Sequence, residues 1–159
     1  MHIDDKIRQE WHPILTLAGQ TMPQSMPILD DNNRAQVIEL WAQAYQQANP
    51  QERVGLAVFA YMLDTHEHAL RLLADSDYQQ RLKGVKILGY MRDESVWPQI
   101  SELARNDDTE ISLTAFAAMT SINEGRAVEE CLDLIASRES WPIERIKGIL
   151  EEALGEEAA

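Results

Sequence analysis

Histidine, cysteine and acidic side chains are the residues of this chain that could hold a metal ion. The histidines cluster only at His66-Glu67-His68, and helical residues two apart do not share a face that could bind one ion. The metal-ligand patterns HExxH and CxxC do not occur. We therefore predict no metal and no cofactor, and we interpret the cluster as a solvated helix start.

A nucleophilic enzyme would need an activated side chain. The single cysteine, Cys131, flanks an apolar stripe formed by Val128, Leu132 and Ile135, and no neighbouring His or Lys favours its thiolate. The phosphate-binding and serine-hydrolase patterns GxGxxG and GxSxG are missing. The sequence therefore predicts a chain that is not an enzyme, with Cys131 as a buried, inert thiol.

Tryptophan is frequent here, with four among 159 residues, and exposed tryptophans often anchor protein interfaces. Trp11 and Trp41 fall inside apolar helical stripes, which predicts that both are core residues. Trp97 and Trp141 each precede a proline at a helix start. That position favours packing at the edge of the core, with a partner-facing role as the alternative.

The charge of the chain restricts its partners. With 27 Asp and Glu against 14 Lys and Arg, the formal net charge is −13, so the overall field repels phosphate backbones and anionic membrane surfaces. The longest uncharged stretch, residues 11–29, contains three prolines and a histidine, which argues against a membrane-spanning helix. We expect a cytoplasmic chain that binds no nucleic acid and does not itself insert into a membrane.

The elements that must position any site are helices. Apolar residues recur at helical spacing almost everywhere, without sustained strand-like alternation. The clearest start is Asn49-Pro50-Gln51-Glu52, which combines an N-cap, an early proline and a capping-box glutamate. The pattern predicts one all-α domain of about nine helices: a first helix and a proline-containing connector (1–29), helix pairs (30–155) and an acidic tail (156–159).

The helix pairs repeat along the chain. The segment from Gly55 to Asp64 aligns with that from Gly84 to Asp93 at a shift of 29 residues, and Gly, Tyr, Met and Asp match. The helix from Ile111 to Ile122 is apolar almost all round, which predicts a central position with a break at residues 123–125. Small residues are predicted to let helix axes approach closely; they are Gly84, Gly89, Ala115, Ala117, Ala118 and Gly148.

Residues 81–89 and 111–150 resemble the helices of bacterial HEAT repeats, including those of membrane-anchored proteins. The resemblance covers residues 50–155. It implies a right-handed, armadillo-like α-solenoid of stacked antiparallel helix pairs, and it specifies a fold rather than a reaction. Because the chain shows no membrane segment, a soluble fragment of a larger anchored protein is one alternative. A HEAT-like enzyme of the bilin-lyase type, without recognisable catalytic residues, is another.

The function that we expect is a non-enzymatic protein-binding or scaffold module, in which the second helices of the pairs form a ridge. Arg71 and Arg105 are the cations best suited to grip a partner's carboxylates. The mixed charge of the ridge indicates a protein partner, whose identity and binding face stay open, as does the oligomeric state. The candidate partner-binding residues are His68, Arg71, Asp75, Gln99, Glu102, Arg105, Glu130 and Asp133.

Overall fold

The computed structural model describes residues 2–158, without the side chains of residues 156–158. In that part of the chain there are nine α-helices, two short 3-10 helices and no strand, and the chain is 75% helical. The prediction of an all-α fold is confirmed. The α-helices are α1 (Asp5–Ala18), α2 (Arg34–Gln47), α3 (Pro50–Phe59), α4 (Thr65–Leu73), α5 (Tyr78–Met91), α6 (Trp97–Leu103), α7 (Thr109–Glu130), α8 (Leu132–Ser137) and α9 (Ile143–Ala158).

Short polar side chains begin several helices, as the sequence predicts. Asn49 and Glu52 form the capping box of α3, because the backbone N–H of Glu52 donates to Asn49 Oδ1 (2.8 Å) and that of Asn49 donates to Glu52 Oε1 (3.1 Å). Asp77 caps α5, and Asp108 caps α7 by accepting from the backbone N–H of Ile111 at 2.9 Å. These caps fix the starts of α3, α5 and α7.

The chain divides after His68 into two compact units. In the first unit α1, α2 and α3 pack against one another, and the indole N–H of Trp41 donates to the carbonyl of Leu56 at 2.9 Å. The predicted core position of Trp11 and Trp41 is confirmed. Side chains with less than 2% exposure form the core of this unit, and the largest are Trp11, Trp41, Tyr45, Phe59, Ile38 and Leu63.

In the second unit α7 is the central helix and packs against α5, α6 and α9. Its predicted central position is confirmed, since Leu113, Ala115 and Phe116 are fully buried. The predicted break is a kink, because the backbone of Asn123 is extended (φ −159°, ψ 97°) inside α7. Ala117, one of the small residues named above, is only half-buried, whereas its neighbours Phe116 and Ala118 are buried.

The predicted close approach of small residues is confirmed at Gly89 and is wrong at Gly148. A Cβ atom at Gly89 would lie 2.8 Å from both Cα and Cβ of Ala118 in α7, which only a glycine allows. A Cβ atom at Gly148 in α9 would meet nothing within 4 Å. The glycine of α9 therefore faces open space instead of a neighbouring helix.

Two further predictions concern the C-terminal tail and membrane-spanning helices. The backbone of α9 continues to Ala158, so most of the predicted tail (156–159) is helical, while residue 159 and the side chains of 156–158 lie outside the described part. None of the described helices is long and apolar enough to cross a membrane.

Candidate protein-binding surface

The predicted ridge residues lie on or directly after the helices α4, α6, α7 and α8, and they differ in exposure. His68 belongs to the first unit and the other seven to the second. His68 and Glu130 are half-buried, whereas the other six are exposed. Asp75 stabilises the turn before α5, since it accepts a hydrogen bond from the backbone N–H of Asp77 at 2.7 Å.

Arg105 is already paired inside the second unit. Its guanidinium donates to both carboxylate oxygens of Asp133, at 2.8 and 3.1 Å, and to the carbonyl of Glu130 at 2.9 Å. The hydrogen bonds from Arg105 lower the pKa of Asp133 below its ordinary value. The expectation that Arg105 is free to bind a partner's carboxylate therefore needs correction, because its guanidinium links the turn after α6 to α8.

Glu130 is likewise committed to internal contacts. Its carboxylate accepts from the indole N–H of Trp97 (3.0 Å), the hydroxyl of Ser101 (3.0 Å) and Nε of Arg126 (3.3 Å). Burial raises the pKa of Glu130, but these three hydrogen bonds outweigh burial and hold the pKa below its ordinary value. Trp97 is buried, and Arg126 lies 4.2 Å above its ring. The prediction of packing at the core edge is confirmed for Trp97.

A buried serine that the sequence analysis missed organises the other predicted edge tryptophan. Ser112 is fully buried and donates its hydroxyl to the carbonyl of Ala104 at 2.8 Å. It accepts from the indole N–H of Trp141 (2.7 Å) and from Nη1 of Arg138 (2.8 Å). Trp141 is thus also a core-edge residue. The available signal was the polar serine inside the apolar helix α7, which has to be hydrogen-bonded when it is buried.

The N-terminal ends of the first helices are also connected. The hydroxyl of Tyr78 on α5 donates to Asp108 at the start of α7 (2.8 Å), and this hydrogen bond raises the pKa of Tyr78. Arg145 on α9 donates to both carboxylate oxygens of Glu110 on α7, at 2.9 and 3.2 Å, and lowers the pKa of Glu110. Both links run from α7 to a neighbouring first helix.

Three ridge residues remain open to a partner. Arg71, Gln99 and Glu102 are exposed, and within the described part of the chain their side chains form no hydrogen bond or ion pair. We call these three residues the reduced ridge. It carries one cation, one anion and one amide, which suits polar contacts with a protein surface better than acid–base chemistry.

The residues considered for chemistry occupy unreactive positions. Cys131 is 2% exposed, and burial raises the pKa of its thiol to about 11, so the thiol is protonated at neutral pH. Among the described residues, no group of three His, Cys, Asp or Glu side chains is placed to hold a metal ion. Leu132, predicted to lie in an apolar stripe, is exposed, because a new helix begins after Cys131.

Comparisons of the chain with protein families, with curated proteins and with solved structures find no significant match. The resemblance to HEAT repeats therefore stays a prediction from the sequence.

Proposed function

We propose that this chain is a non-enzymatic protein-interaction module of the cytoplasm, built as a HEAT-type α-solenoid. The observation that supports the proposal is a regular set of links between helix pairs in the second unit. Four side-chain links join residues separated by 28, 30, 33 and 35 positions. These separations are close to the sequence shift of 29 between aligned repeats, as expected when each repeat contacts its neighbour.

The links occur on two sides of the repeat. Arg105–Asp133 and Trp97–Glu130 connect α6 to α8 and to the end of α7. Tyr78–Asp108 and Arg145–Glu110 connect the starts of α5, α7 and α9. A stack that is fixed in this way holds its outward side chains at constant spacing, which lowers the ordering cost of binding a partner.

The reduced ridge is the surface that we assign to this partner. Arg71, Gln99 and Glu102 can form polar contacts without breaking any of the four links. Arg105 and Asp133 contribute to the ridge as a fixed pair rather than as separate charges. A partner that presents both a carboxylate and a cation would complement Arg71 and Glu102.

Site-specific photo-crosslinking tests the proposal. A crosslinking amino acid replaces Gln99 on α6 or, as a matched control, Lys86, which is exposed on the first helix α5. We expect a discrete protein adduct from position 99 in a native lysate and none from position 86. Equal adducts from both positions, or none from position 99, would contradict the proposed surface.

A charge-swapped variant sharpens the test. Arg71→Glu combined with Glu102→Lys keeps the net charge at −13 and should change stability by less than about 1 kcal/mol, because both side chains are exposed. The adduct at position 99 should fall at least tenfold, equivalent to about 1.4 kcal/mol of binding free energy. An unchanged adduct yield in a folded variant would exclude a role for these two charges.

A further inference from the structure

We propose that an exposed apolar stripe on α3 binds a basic amphipathic helix of a partner protein. The stripe consists of Val54, Val58, Tyr61 and Met62, and we call it the α3 stripe. All four side chains are exposed, with Val54 at 54% and Val58 at 52%. The α3 stripe shares no residue with the reduced ridge, so either surface can fail without the other.

The spacing of the stripe suits a helical partner. Val54, Val58 and Tyr61 are separated by four and three positions, so they lie on one face of α3 and its 3-10 extension (Ala60–Leu63). Leu56 and Phe59 on the other side of α3 are buried in the first unit. The helix therefore has two apolar sides, of which one is covered, and a row of this spacing fits the groove of another helix.

The repeat itself indicates what covers such a face. At the shift of 29 residues, Val58 and Met62 correspond to Ile87 and Met91 of α5. Ile87 is 1% exposed and Met91 is 3% exposed, in a chain whose described elements are all helices. The same positions of a first helix are thus compatible with helix packing. On α3 the side chains at these positions, Val58 and Met62, are exposed.

The excess of negative charge in the first unit favours a basic partner helix. Up to His68 the chain has nine Asp and Glu residues against four Lys and Arg. Three of these cations are engaged internally. Lys6 pairs with Glu10, Arg34 pairs with Asp31 and Asp64, and Arg53 donates to the carbonyls of Tyr45 and Gln46. A partner with Lys and Arg beside its apolar face therefore complements this unit. A second copy of the chain or an anionic membrane would be repelled by the net charge of −13.

Selection from a displayed library of peptides of about 20 residues, long enough to form a helix, tests the proposal on the full chain. We expect enriched peptides with apolar residues at helical spacing and a net positive charge. Enrichment of acidic peptides or of peptides without this periodicity would overturn the proposal.

Variants of the stripe separate apolar docking from simple charge attraction. Val54→Asp with Val58→Asp adds two negative charges, which would strengthen a purely electrostatic complex with a basic peptide. If the stripe is the docking site, the same double variant weakens binding at least tenfold. The uncharged double variant Val54→Gln with Val58→Gln should weaken binding similarly. A matched control, Leu132→Asp at an exposed leucine of the second unit, should leave the affinity unchanged.

The competing occupants give different results. Concentration-dependent dimerisation that Val58→Asp abolishes would show that a second copy covers the stripe, and it would overturn the proposal. If the chain is retained on vesicles of anionic phospholipid and Val58→Asp abolishes that retention, the stripe binds a membrane and the proposal of a partner helix is overturned. Tighter binding of the basic peptides by the Asp double variant would also overturn the proposal.

Discussion

Helices α3 and α5 carry the same repeat in their sequences, but only α5 also buries the side that α3 leaves exposed: Ile87 and Met91 are buried, while Val58 and Met62 are exposed. Both use a glycine at the same repeat position for a close approach. A Cβ atom added at Gly55 would lie 2.5 Å from the carbonyl oxygen of Ala18. One added at Gly84 would lie 2.9 Å from the carbonyl oxygen of Ala69. Gly55 thus lets α3 approach the end of α1, and Gly84 lets α5 approach α4 at Ala69.

Five residues later the two helices diverge. Gly89 of α5 allows contact with Ala118 of α7, whereas α3 has Ala60 at the corresponding position and ends at Phe59. α5 continues to Met91 and is joined closely to α7. The shared glycine thus makes the first contact in both helices. Where α5 has Gly89 against α7, α3 has the larger Ala60, and the side of α3 that corresponds to Ile87 and Met91 is exposed.

The largest expected effect comes from placing a charge at one repeat position in both helices. Ile87→Asp should lower the free energy of unfolding by more than about 4 kcal/mol, because it removes a buried side chain and buries an unpaired carboxylate. Val58→Asp at the equivalent position should lower it by less than about 1 kcal/mol, because that side chain is already half exposed. Urea unfolding followed by circular dichroism measures both.

Equal losses for the two substitutions would contradict the difference between α3 and α5. A severe loss for Val58→Asp would mean that the α3 stripe is covered in solution. A mild loss for Ile87→Asp would mean that α5 is not packed as described.

Much of the fold followed from local signals in the sequence. The capping box at Asn49 and Glu52 depends on residues close to one another in the chain, so spacing alone predicts it. The caps at Asp77 and Asp108 are short-range contacts of the same kind. The kink at Asn123 is also local. The environment of Gly148 was mispredicted, because a repeat pattern cannot show whether another helix lies beside the last one.

The ridge was less predictable because its contacts join residues far apart in the chain. An exposed arginine in a helical pattern gives no indication of whether it faces solvent or a carboxylate of the next repeat. Arg105 meets Asp133, 28 residues later, while Arg71 meets no such partner among the described residues. The repeat period could have suggested the first pair, since both residues occupy second-helix positions about one repeat apart.

A smaller effect tests the close approach of α5 to α7. Gly89→Ala should lower the free energy of unfolding by about 1–2 kcal/mol, because the new methyl group overlaps Ala118 and the gain in helix propensity offsets only part of that cost. Gly148→Ala should raise stability by about 0.5–1 kcal/mol, because it adds helix propensity in open space. Thermal unfolding of both variants checks the opposite signs; stabilisation by Gly89→Ala would show that α5 and α7 are further apart.

The smallest expected effect concerns the links of the second unit, which help to fix α6 against α7. Glu130→Gln keeps an acceptor for Trp97 but removes the charge that pairs with Arg126. We expect a loss of less than about 1 kcal/mol at pH 7, since the carboxylate is partly solvated and solvent screens the ion pair. Urea unfolding of the parent and the variant at several pH values measures the difference between them.

The pH dependence gives this small difference a definite sign. The hydrogen bonds to Glu130 outweigh its burial and lower its pKa in the folded chain, so the stabilisation is present above the unfolded pKa of about 4.3. It is lost as the pH falls through the lower folded pKa, because the carboxyl is then protonated in both states. The parent and Glu130→Gln should therefore differ at pH 7 and converge once the pH is below the lowered pKa of Glu130. A difference that persists in acid would show that the carboxylate's charge contributes nothing and that α6 is held by the packing of Trp97 alone.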